Sequence, residues 1–124
     1  MDDAPDRLRT LLVQLGAEAV SSVKGGHASD EAYLVSGLMV HISSEYGVSR
    51  VNLSLGSSAQ LPASFWLAAL DGHADYPDPA VTEEDLPRLI ARLPELIGEA
   101  PRLSPAVVAM GKQYSNAMRS RFER

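Results

Sequence analysis

Residues 71–78, Asp-Gly-His-Ala-Asp-Tyr-Pro-Asp, concentrate the side chains of this chain best suited to chemistry. His73 and Asp75 form an H-x-D pair with Asp71 and Asp78 nearby, and imidazole with carboxylate oxygens is a donor set for a divalent ion. A calcium loop, however, needs oxygen donors at its first, third and fifth positions, glycine at the sixth and glutamate at the twelfth. His73 falls on the third position, so the segment is read as holding no metal, and no cofactor is expected.

A second constellation is His41 with Glu45 and Arg50, which could be assembled into an acid, a base and an anion anchor. A sheet face excludes water poorly, and nothing here pairs a nucleophile with a positioned base, so a solvated polar face is the preferred reading. Cysteine is absent, which removes thiolate nucleophiles, thiolate metal sites and disulfides together. There is no G-x-S-x-G, P-loop or G-x-G-x-x-G. The chain is therefore expected not to be an enzyme.

Charge points to binding instead. The net charge is −5, and residues 71–85 carry six carboxylates with no Lys or Arg among them. Such a segment repels nucleic acid and attracts basic surfaces. Phe65 and Trp66 precede it, and because neighbours on a short helix point in different directions, one of the two is expected to be partly exposed as an aromatic anchor. The candidate partner-binding residues are thus Phe65, Trp66, Asp71, His73, Asp75, Tyr76, Asp78, Glu83 and Glu84. The partner expected is a protein, with no nucleic acid and no membrane.

The elements that must position these residues follow from periodicity. Leu8, Leu11, Leu12 and Leu15 repeat at helical spacing after Pro5, with Gly16 placed to end the helix. Residues 18–23 read as a strand, and 27–31 as a loop after Gly25-Gly26. Residues 38–44 and 49–55 form a hairpin: opposing Ser44 to Ser49 aligns Ile42 with Val51, Val40 with Leu53 and Leu38 with Leu55 on one face. Residues 32–37 extend the first of these strands backwards, with Gly37 marking a bulge or bend.

Residues 61–70 make a short helix closed by Asp71-Gly72. Thr82 and Asp85 resemble a capping box ahead of Leu86, Leu89, Ile90, Leu93 and Ile97, a run in which Pro94 should kink or split the helix. Ser104-Pro105 should then cap a separate last helix striped by Val107, Met110, Tyr114, Met118 and Phe122. Its cations (Lys112, Arg119, Arg121 and Arg124) suit a helix C-terminus.

The 124 residues suffice for one domain, 1–124, of the α+β class: a small antiparallel sheet of two to four strands, covered on one face by N-terminal and C-terminal helices. The acidic N-terminus lacks a signal-peptide pattern, so a cytoplasmic location is expected. With its Trp66 helix and the run Asp85-Leu-Pro-Arg-Leu-Ile-Ala-Arg-Leu-Pro-Glu-Leu-Ile97 before a basic last helix, the layout resembles small bacterial immunity proteins of polymorphic toxin systems. That resemblance implies a non-enzymatic inhibitor of a basic toxin domain. A small acidic secretion-type chaperone or adaptor is the alternative, and a ligand-binding or catalytic domain with a site formed only in three dimensions is the third.

Overall fold

A computed structural model describes residues 4–46, 48–56, 60–73, 75–77 and 85–122. Helix α1 (Ala4–Gln14) is followed by strands β1 (Glu18–Gly25), β2 (Ala28–Val35), β3 (Leu38–Glu45), β4 (Val48–Leu55) and β5 (Leu61–Pro62). Helices α2 (Ala63–Leu70) and α3 (Asp85–Phe122) complete the chain. The strands form one antiparallel sheet in sequence order, β1-β2-β3-β4-β5. The class is α+β, but the sheet has five strands rather than two to four.

The extra strands arise from short turns. Gly26-His27 alone joins β1 to β2, so most of the stretch read as a loop is strand. Ser36 and Gly37, with φ of 49° and 83°, make a turn between β2 and β3 where one long strand was expected. Two successive positive φ values match the right-handed twist of a tight hairpin, and glycine takes one of them without strain. β5 is two residues long and pairs Leu61 and Pro62 with Leu53 and Asn52, at positions assigned in the sequence to the start of a helix.

The β3–β4 register is the one read from the sequence, with Leu38, Val40 and Ile42 opposite Leu55, Leu53 and Val51. Val35, Leu38, Val40, Ile42, Val51 and Leu53 share one core with Leu8 and Leu12 of α1, Phe65, Trp66 and Leu67 of α2, and Leu89, Leu93, Leu96, Val107 and Met110 of α3. Alternate residues of the same strands, including Leu34, Met39, His41, Arg50 and Asn52, point to the opposite face.

α3 runs unbroken for 38 residues, about 57 Å at 1.5 Å per residue, and contains Pro94, Pro101 and Pro105. Neither the break at Pro94 nor the separate cap at Ser104-Pro105 occurs. The three prolines are exposed and spaced by seven and four residues, which places them on one outer stripe. The carbonyls they leave without an amide partner therefore face water, and the packed stripe of Leu89, Leu93, Leu96, Ala100 and Leu103 keeps the helix together. Thr82 of the expected capping box lies outside the described residues.

Candidate functional site

Phe65 and Trp66 are 0% and 1% exposed, so neither is the surface anchor expected. The reason is that α2 is apolar on nearly every side and contacts α3, β4 and β5, with Ala63, Phe65, Trp66, Leu67, Ala68 and Ala69 all buried. The Trp66 indole Nε1 donates to the Leu53 carbonyl at 3.2 Å, which ties the helix to the sheet. Tyr76 is half-buried, with its ring 5.9 Å from Phe65 and 5.6 Å from Tyr114. It anchors the acidic segment to the body of the protein.

Asp71 is not a free acid either. It accepts hydrogen bonds from Arg92 and, at 3.3 Å, from Arg88, both on α3. The Arg92 hydrogen bond holds the Asp71 carboxyl below the usual carboxylate range. The turn also closes α2: Asp71, Gly72 and His73 donate their amides to the carbonyls of Leu67, Ala69 and Ala68. His73 and Asp75 are exposed. Asp78, Glu83 and Glu84 lie outside the described residues. Among the described residues no three His, Cys, Asp or Glu side chains are grouped to hold a metal ion.

The other face of the sheet carries a different constellation. Asp30 (β2), Ser43 and Glu45 (β3), Tyr46 (the following turn), and Arg50 and Asn52 (β4) line a hollow of about 570 Å³. Ser43 Oγ donates to Asp30 Oδ1 at 2.7 Å, and Tyr46, 73% exposed, stacks on His27 with ring centroids 5.1 Å apart. His41 lies in the same sheet face, 3.4 Å from Ser54 Oγ, and burial pushes its imidazole below the ordinary value. Ser54 is itself buried. Among the described residues no third side chain hydrogen-bonds to this pair.

A second hollow, of about 560 Å³, lies between α1 and the β1–β2 turn. Three of its charged side chains pair with one another, Arg9 with Asp6 and Glu31, and Tyr33 donates to Glu31 at 3.4 Å.

Of these residues the sequence alone groups His41, Glu45 and Arg50 on a solvated sheet face; Asp30 falls in the stretch 27–31 that reads as a loop, and Tyr46 falls between the two hairpin strands. No family model, curated protein or solved structure matches this chain.

Proposed function

We propose that this chain is a non-enzymatic protein-binding module, an inhibitor of the immunity-protein kind, which captures a basic partner such as a toxin domain in the cytoplasm. In this reading the helices lie on one face of the sheet and the partner docks on the other. The observation that carries it is Tyr46, exposed beside Arg50 at a polar hollow whose other charged residues are Asp30 and Glu45. Tyrosine and arginine are the residue types over-represented among energetic anchors of interfaces, and flanking carboxylates with a net charge of −5 steer a cationic partner.

Asp75, exposed two residues after His73, marks a second region that would add to this steering without supplying an aromatic anchor. The test is co-purification with the product of the neighbouring gene, followed by binding kinetics at two salt concentrations. Tyr46→Ala should mainly speed dissociation, with a loss of 2 kcal/mol or more if it is an anchor, roughly the hot-spot threshold. Glu45→Lys should slow association and weaken its salt dependence. Tight binding indifferent to both, but sensitive to Asp75→Lys, would move the interface to the acidic segment. Capture of an unfolded segment in place of a folded partner would favour the chaperone reading.

A further inference from the structure

β1 is the least covered element of the fold. All eight of its residues are exposed, Val20 and Val23 at 51% and 65%, and among the described residues its one strand neighbour is β2. At the opposite side of the sheet, β5 pairs with β4 at Asn52 and Leu53. An open strand edge presents a row of N–H and C=O groups that a further strand can satisfy.

The sequence of β1 allows that strand to be its own copy. Glu18, Ser21, Val23 and Gly25 oppose Leu34, Ala32, Asp30 and Ala28, and so lie on the face of His41. Ala19, Ser22 and Lys24 oppose Tyr33, Glu31 and Ser29 on the other face, and the register shifts at Val20. A two-fold axis through Ser22, with Val20 set aside as the bulged residue, opposes Ser21 to Val23, Ala19 to Lys24 and Glu18 to Gly25. Every such pair lies on a common face, as antiparallel pairing requires, and no like charges oppose each other. The two Val23 side chains become diagonal neighbours across the axis, which shields the more exposed of the two valines. Axes through Ser21 or Val23 engage a shorter length of strand.

We infer that β1 is an interface between two copies of this chain, paired antiparallel about Ser22 into one ten-stranded sheet. One strand edge is a small contact beside the 1,200–2,000 Å² typical of stable interfaces, so the dimer is weak and depends on concentration.

Sedimentation velocity on the full chain over a wide concentration range reads the mass, and amide hydrogen exchange reads β1. The expected result is a mass rising towards twice that of the chain, with alternate β1 amides slowing in exchange as concentration rises. Val23→Lys, which sets two cations diagonal to each other, and Ser21→Lys, on the opposing position, should each return the mass to one chain with an unchanged circular dichroism spectrum. A monomer at every concentration overturns the inference, as does a dimer that survives both substitutions with β1 exchange unaltered. Protection of β1 only when a different protein is added, with the chain alone remaining monomeric, also overturns it.

Discussion

Trp66, His41 and Asp71 each owe their behaviour to one neighbour or to burial. Trp66→Phe keeps most of the buried ring but removes the donor to the Leu53 carbonyl, at a cost of about 0.5–1.5 kcal/mol for the lost hydrogen bond, in addition to the smaller ring. Urea denaturation followed by circular dichroism measures it. Burial lowers the His41 pKa from its ordinary 6.5, so the unfolded chain takes up this proton first as pH falls. Its contribution to stability is complete above 6.5 and is lost as pH drops from there through the folded value. His41→Gln should therefore reduce the fall in melting temperature between about pH 7.5 and 5.5. Asp71 acts lower: its pKa is depressed from 3.8, so its contribution is present above 3.8 and lost as pH falls through the folded value. Asp71→Asn should leave the His41 window untouched.

At the scale of elements, the sheet and α3 hold each other through a few tight contacts. Leu53 is fully buried at the centre of the core, and Leu53→Ala should cost about 2–5 kcal/mol, read from the denaturation midpoint. Gly111 allows α3 to approach β5: a Cβ there would lie 2.7 Å from Leu61 Cδ2. Alanine in a helix interior is favoured over glycine by about 1 kcal/mol, but in the native protein Gly111→Ala must displace Leu61, which offsets the gain. The same substitution made with Leu61→Ala should show the gain of about 1 kcal/mol, and purely additive effects would mean that Leu61 moves aside freely. The exposed prolines of α3 invite the opposite change. Pro101→Ala restores the amide that the Ile97 carbonyl lacks and, because the position is exposed, should stabilise by up to about 3 kcal/mol, read from the denaturation midpoint.

Across the whole molecule, protection should be graded along the sheet. β3 and β4 put Leu38, Val40, Ile42, Val51 and Leu53 in the core, whereas β1 buries nothing. In dilute solution, hydrogen exchange should therefore reach β1 amides well before those of β3. Equal protection in both strands at low concentration would contradict this gradient. The same contrast separates what was legible in the sequence from what was not. Alternation of apolar residues in 38–44 and 49–55 determined the central hairpin and its register, because a one-residue slip would expose three apolar pairs. Helical spacing likewise determined α1, and Asp71-Gly72 the end of α2. The β2 strand was obscured because its inner face carries Ser29, Glu31 and Tyr33, with Glu31 held there by Arg9 of α1 and by the Tyr33 hydroxyl. Local rules for proline predicted a broken last helix, yet the core stripe lies opposite the proline stripe and outweighs the lost hydrogen bonds. Phe65 and Trp66 were read as competing for one buried side. Only the tertiary structure decided that α2 meets both the sheet and α3, so that adjacent side chains are buried at once. Pattern along a chain reports one buried face of an element, and how many faces the neighbours cover is set by their placement in space.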